Sequence, residues 1–327
     1  MTPLSNQRPS GKVEPLTPDE ARERHFALVQ YDQLGLKLNK PSKTLVYHYT
    51  NLAGFRGIVM GKSVWASDYR YLNDRSEFLF GLEILEMVIA VGEASDILGR
   101  ELRQELLQEI ALMKRSNVYM YVLCASFCQK GNVLSQWRAY GRSDGIAIGF
   151  DRSHLQVKAA EQGFVCGPIQ YYWSKQSKLS EWLADRCKLL AARNVTLPVE
   201  ESELDRELRL NLHEAHVRKM LVQWIAETAA MIKHPAFEEE HEWRCVRVIS
   251  DKDFRTSAAV KDRSSGTKII PYVDLNLEGQ EQGIGVRSVV IGPTSDPLAV
   301  EHAVLHMTSQ MAFGDLLISH PFNPLKV

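Results

Sequence analysis

Three polar segments stand where a folded core would be apolar, and their residue types could do chemistry. His48-Tyr49-Thr50 ends an aromatic and β-branched run, TLVYHY. A histidine there titrates near neutrality, although a structural hydrogen bond is its commoner task. Ser126-Phe127 closes a second run, YMYVLCASF, and Gln136-Trp137-Arg138-Ala139-Tyr140 and Gly145 follow it. Trp137 and Tyr140 are three apart, so a helical turn puts them on one face, either to pack a core or to stack on a flat ligand. The third segment, Glu238-Glu239-Glu240-His241-Glu242-Trp243-Arg244, leads into another apolar run. Glu242 and Arg244 alternate along a strand and so face one side. The plain alternative is a solvated acidic turn with Arg244 paired locally. Taken together, a histidine, a serine, an aromatic pair and a Glu-x-Glu from separate strands can converge on one pocket.

Other chemistries fit less well. Gly57, Gly61, Lys62 and Ser63 resemble the end of a phosphate loop, but the first glycine of that pattern is Arg56 here. The segment also follows a helix, whereas a phosphate loop leaves a strand so that its amides point at the ligand. His302 with His306, and His213 with His216, sit at helical spacing. Neither couple carries the third and fourth ligands that zinc needs, so no metal site is expected. There is no GxSxG elbow for a hydrolase. Cys124 and Cys128 lie on an apolar strand, which raises a thiol's pKa and makes it inert. Glu238, Glu239 and Glu240 with Asp74 could hold a magnesium ion, which keeps a metal-dependent nuclease as a weaker alternative.

The elements that would position these groups follow from pattern. Residues 1–16 read as an arm, and Thr17-Pro18-Asp19-Glu20 opens a helix through a capping box. Strands are expected at TLVYHY, SVWAS, YMYVLCASF, GIAIGF, EWRCVRVIS, TKIIPYV and VRSVVIG, with a last one near 316–319. Helices are expected after Thr50 or Asn51, from the box formed by Asn73, Asp74 and Glu77 to about Val91, over 101–114, and over 296–311. Residues 173–235 read as almost entirely helical, an insertion whose C-terminal end carries Lys233 and His234 before the stop at Pro235. The expected fold is α+β, with a mostly antiparallel sheet core and helical insertions. It divides into an N-terminal arm and helix, 1–40, and one domain, 41–327.

Of 327 residues, 45% are hydrophobic and 24% charged, which excludes a disordered chain or a coiled-coil rod. Lys plus Arg number 39 against 40 Asp plus Glu, so no global field draws the chain to nucleic acid or an anionic membrane. Five cysteines without a CxxC pair read as reduced thiols. With no apolar leader and no run of about 20 apolar residues, the expectation is a cytoplasmic protein with no membrane partner.

YHYT, then ASF, SQWRAYG and GIAIGFD, then EEEHEWR and SVVIGP resemble the bacterial domain-of-unknown-function family numbered 2971, over roughly residues 44–320. More loosely, the order His, then Ser and Tyr, then Glu-x-Glu is similar to ADP-ribosyltransferases of the His-Tyr-Glu kind. That second resemblance implies an ADP-ribosyltransferase-like fold and NAD as substrate, with ADP-ribose passed to a macromolecular acceptor (protein or nucleic acid) or to water. It implies that His48, with Tyr49 and Thr50, holds the ribose, that Ser126 braces the pocket, and that Tyr140 or Trp137 stacks on nicotinamide. Glu242 would be catalytic with Glu240 before it, and Arg138, Arg142 or Arg244 would meet the pyrophosphate. A toxin or phage-defence effector is the implied setting. The other reading is a nucleotide-sensing or protein-interaction module without catalysis, using residues 173–235 as its partner surface.

Overall fold

A computed structural model describes residues 45–72, 76–91, 100–115, 120–141, 143–172, 181–182, 185, 218–279, 283–294, 296–309 and 316–320. The expected arm and first helix, the Asn73-Asp74 cap, Arg142, His213, His216 and most of the 173–217 segment lie outside these residues.

The principal strands are buried at most positions, since both faces of the sheet are covered, and they follow the order the sequence suggests. β1 (Leu45–Asn51) leads into α1 (Leu52–Gly61), whose start Asn51 caps by accepting from the Gly54 N–H. β2 (Ser63–Asp68), α2 (Ser76–Val91), α3 (Arg100–Arg115) and β3 (Met120–Cys128) follow. A helical turn over 134–141 ends in five π-helical residues, Trp137–Gly141, before β4 (Asp144–Asp151) and α4 (Arg152–Glu161). The short strands β5 (Val165–Pro168) and β6 (Gln170–Tyr171) come next. After α5, over 218–229, the chain turns into β7 (Ile232–Lys233) and a 3-10 helix, Pro235–Glu240. The remainder is β8 (Glu242–Ser250), α6 (Asp251–Thr256), β9 (Val260–Ser265), β10 (Lys268–Asn276), β11 (Val286–Thr294), α7 (Pro297–Ser309) and β12 (Leu317–Ser319).

The fold is α+β with a mostly antiparallel sheet. Its main path runs β12-β11-β4-β1-β3-β2-β10-β9, and only β11–β12 is parallel within it. β3 is the branch point. One edge carries β8 along its full length, with β5 beyond, and the other edge is shared by the ends of β1 and β2. Helices cover both faces. On one side α1, α4 and α7 pack on Leu123, Ala125, Phe127 and Trp243. On the other, α2, α3 and α5 pack on Val122, Cys124 and Val246, and an aromatic cluster of Tyr47, Tyr49, Trp137 and Cys128 adjoins them. A Cβ on Gly81 would lie 2.1 Å from the Ala229 carbonyl oxygen, so only glycine lets α2 press this closely on the end of α5.

Two expectations are corrected. The segment up to Pro235 is not helical to its end: Ile232 and Lys233 form β7 and pair with β6. Cys166 and Cys245 are not reduced thiols but a disulfide, because β5 and β8 place them directly opposite with Cα atoms 4.1 Å apart. Nothing in the sequence pairs two cysteines 79 positions apart. Cys124 and Cys128 are buried free thiols, as their apolar strand implies, and burial pushes them up to about 12 and about 11.

Candidate active site

Side chains alternate along β3, so Cys124, Ser126 and Cys128 share one face of the sheet while Ala125 and Phe127 take the other. Ser126 pairs with Arg244 and Cys128 with Glu242, which puts Glu242 and Arg244 on the face of Ser126. A buried charge cluster forms there, between the apolar layer under α2 and the aromatic cluster.

Lys233 is its hub. Its ammonium lies 2.9 Å from Glu77, 2.7 Å from Glu240 and 3.1 Å from Glu242, with the residue only 4% exposed. The Arg244 guanidinium donates to Glu242 (2.7 Å), to Glu77 (3.0 Å) and to the Ala230 carbonyl (2.9 Å). Three carboxylates against two cations leave the cluster one negative charge in excess. His241, in the left-handed region at φ 44, supplies the turn that lets Glu240 and Glu242 reach the same ammonium from either side. The Gln129 N–H donates to its carbonyl (2.9 Å), and the Lys130 ammonium donates to its ring nitrogen (2.6 Å).

The two carboxyls of Glu-x-Glu are displaced in opposite directions. Burial works to raise Glu242, but Arg244 and Lys233, with hydrogen bonds from Arg244 and Ser126, outweigh it and bring the group down to about 2. Burial wins at Glu240, whose carboxyl is raised despite Lys233. Burial opposes the charge of Lys233 and Arg244, yet their carboxylates hold both ammonium and guanidinium above their usual range. Such a pair, pushed apart by surroundings, is what acid–base work requires of neighbouring carboxyls. A cavity of about 10 Å³ reaches the cluster beside α2, lined by Tyr69, Leu72, Glu77, Phe78, Cys124, Ala230 and Arg244. That is room for about one water molecule, not for a ring or a dinucleotide.

Of the residues singled out in the sequence, Ser126, Tyr140, Glu240, Glu242 and Arg244 come together. Tyr140 remains 42% exposed, while burial and then Glu242 and Glu240 raise its phenol, which places the hydroxyl on the cluster side. Trp137 is 3% exposed, packs edge-on to Tyr49 at 4.6 Å and donates from its indole nitrogen to Asn132. Between the two aromatics, Tyr140 is thus the one beside the carboxylates. Tyr49 is a structural bridge whose hydroxyl donates to the Lys130 carbonyl and accepts from the Val133 N–H. Arg138 is exposed on the π-helical turn, and Arg244 clamps Glu242 from within the core.

His48 and Thr50 do not join the cluster. Tyr47 pairs with Cys128, so Tyr47 and Tyr49 share the cluster's face and the residues between them take the other. The His48 ring meets Phe127 edge-on at 5.6 Å, and its Nδ1 bonds the Ser126 carbonyl at 3.0 Å where β1 and β3 diverge. Burial lowers its pKa, so the neutral ring donates that bond. His48→Ala should cost about 1–3 kcal/mol through the orphaned carbonyl, a loss that thermal unfolding measures.

Sequence reasoning missed Glu77 and Lys233. Glu77 read as part of a helix cap and Lys233 as a cation at a helix end. It also missed Tyr171, whose hydroxyl accepts from the Glu242 N–H at 2.8 Å. Among the described residues no group of three or more His, Cys, Asp and Glu is arranged to hold a metal ion, since cations of the chain already sit between the carboxylates. Nor is any described helix long and apolar enough to cross a membrane.

No curated protein and no solved structure matches the chain. Residues 136–245, which span Tyr140, Lys233, Glu240, Glu242 and Arg244 but not Glu77 or Ser126, match the family model described as a protein of unknown function, DUF2971.

Proposed function

We propose that the chain is an ADP-ribosyltransferase-like enzyme that cleaves the nicotinamide–ribose bond of NAD and passes ADP-ribose to a macromolecular acceptor or to water. The observation that carries this reading is the pair of carboxyls bridged by Lys233, one ionised down to about 2 and one raised. Breaking the C1′–N bond sends the electron pair out with nicotinamide and leaves an oxocarbenium-like centre. Glu242, fixed as an anion, stabilises that growing positive charge; its three donors, Arg244, Lys233 and Ser126, leave one of its roughly four acceptor sites for a ribose hydroxyl, which this reading requires the packing around the buried carboxylate to open and admit. Glu240 takes the proton of the attacking hydroxyl or water, and its raised carboxyl makes it a stronger base than an ordinary glutamate. The half-exposed Tyr140 ring offers a stacking surface for the flat leaving group. His48 has no part in this arrangement, so ribose contact falls to the Ser126 side of β3.

The test is nicotinamide release by the purified chain incubated with NAD. Glu240→Gln should slow it by about 10²–10⁴-fold and remove the acid limb of the pH–rate profile. A chain that neither releases nicotinamide nor gains thermal stability with NAD would reject the reading.

The extent of pairing within the cluster favours one alternative, a nucleotide-sensing or protein-interaction module in which these charges only fix the fold. In that case NAD or another nucleotide raises the melting temperature without turnover, by an amount set by ligand concentration over Kd.

A further inference from the structure

We propose that the Cys166–Cys245 disulfide is a redox-operated clamp on the charge cluster, holding residues 165–172 against the two strands that carry Glu242 and Lys233. As a regulation of the candidate site it rests on the reading above for its consequence in turnover, but not for its structural effect.

The segment touches both halves of the site. β5 lies on the outer edge of β8, with Gly167 opposite Arg244 and Pro168 opposite Trp243. Beyond it, the Ile169 N–H donates to the Glu242 carbonyl at 3.0 Å, and the Tyr171 hydroxyl accepts from the Glu242 N–H at 2.8 Å. The same few residues hold Lys233. Tyr171 pairs with it in the parallel β6–β7 ladder, the Tyr172 N–H donates to its carbonyl at 3.1 Å, and the Gln170 N–H donates to the Met231 carbonyl at 2.8 Å. One short segment therefore sets the spacing between the ammonium and the carboxylate.

Besides these hydrogen bonds, the segment is held by buried Ile169 and by Cys166, Tyr171 and Tyr172, which pack against the two cores. β5 has four residues and β6 two, and all are half-buried or exposed, with Ile169 between them buried. Strands this short are marginal by themselves. The covalent bond to Cys245, which is fully buried on β8, is the strong tether.

Opening it takes two electrons. The thiolate of a dithiol reductant attacks the Cys166 sulfur, the partly exposed one of the pair, and Cys245 leaves as a thiolate that takes a proton. The second thiol of the reductant then attacks the mixed disulfide and releases Cys166. The reductant ends as its disulfide and the protein as two thiols. Cys124 and Cys128 take no part, being buried on the opposite side of β8 from β5 with thiols pushed far above neutrality.

The full chain, purified without reductant, is alkylated before and after dithiothreitol and its labels located by mass. Cys166 and Cys245 should be labelled only after reduction. Amide hydrogen exchange at 167–172 and at 232–244 should then speed up at least tenfold on reduction, while β11 and α7 stay unchanged. Cys166→Ser, the milder change because that residue is half-buried, should exchange fast with or without reductant. Labelling of both cysteines before reduction, even after treatment with glutathione disulfide, would overturn the proposal, as would unchanged exchange once the bond is cut. Nicotinamide release is followed separately. A redox-dependent exchange with no turnover at all supports the clamp and rejects the enzyme.

Discussion

Glu242→Gln, a change of one atom at nearly constant volume, is expected to cut nicotinamide release by about 10²–10³-fold, the usual scale for removing one preorganised electrostatic group. A carboxyl brought down to about 2 is an anion at every practical assay pH, whereas the amide carries no charge to set against the oxocarbenium centre. The fold weakens as well. Arg244 and Lys233 remain buried with one carboxylate fewer, and breaking a buried pair by removing one partner costs about 3–5 kcal/mol; the amide, still able to accept from Arg244, belongs at the lower end and alanine at the upper. Unfolding and turnover must therefore be measured on the same preparation. A variant that melts earlier but releases nicotinamide at the wild-type rate would make Glu242 a purely structural anion. Acid titration gives an independent sign. The folded Glu242 lies at about 2 against an ordinary 4.5, so its stabilisation is complete above 4.5 and disappears as pH falls from there through 2. Glu240 is raised, so its protonation favours the folded chain as pH falls through its folded value toward 4.5. As far as this pair decides, the wild type is most stable close to 4.5 and then declines, and the decline is shallower in Glu242→Gln.

Lys233→Met should be the more damaging to stability. It leaves Glu77, Glu240 and Glu242 facing Arg244 alone and takes the cluster from one excess negative charge to two. A loss of about 3–5 kcal/mol is a fall in melting temperature on the order of 10 °C for a chain this large. Adding Glu240→Gln to that variant removes one of the stranded charges and should return part of the loss, a coupling of about 0.5–3 kcal/mol between contacting groups. A double-mutant cycle followed by denaturant unfolding measures it. Strict additivity would mean that the ammonium does not bind Glu240 in solution.

Much of the fold was legible along the chain. EWRCVRVIS became β8 over Glu242–Ser250 residue for residue, VRSVVIG became most of β11, and the helix expected over 101–114 spans Arg100–Arg115. Period-two and helical patterns of apolar residues report burial directly, and long elements carry enough of them. The strands that were missed are β5, β6, β7 and β9. Three are four residues or fewer, and β9, VKDRSS, is an exposed edge without an apolar face, so no periodicity marks them. The helical reading carried through to Lys233 because Ala230, Met231 and Ile232 continue the apolar pattern past the helix end at Ala229, and only pairing with β6 draws Ile232 and Lys233 into extended chain.

Within one strand the sequence was sufficient: alternation alone put Glu242 and Arg244 on one side, and the apolar run around Cys124 and Cys128 made both thiols core. Between strands it was not. Whether His48 or Tyr47 looks toward Glu242 depends on how β1 registers with β3, and a slip of one residue exchanges the faces. The meeting of Glu77 with Lys233, 156 positions later (233 less 77), and of Cys166 with Cys245 likewise depends on helix packing and strand register. Residue order sets the period of each element; only the packed sheet and its helices set the phase between them, and the charge cluster is a product of that phase.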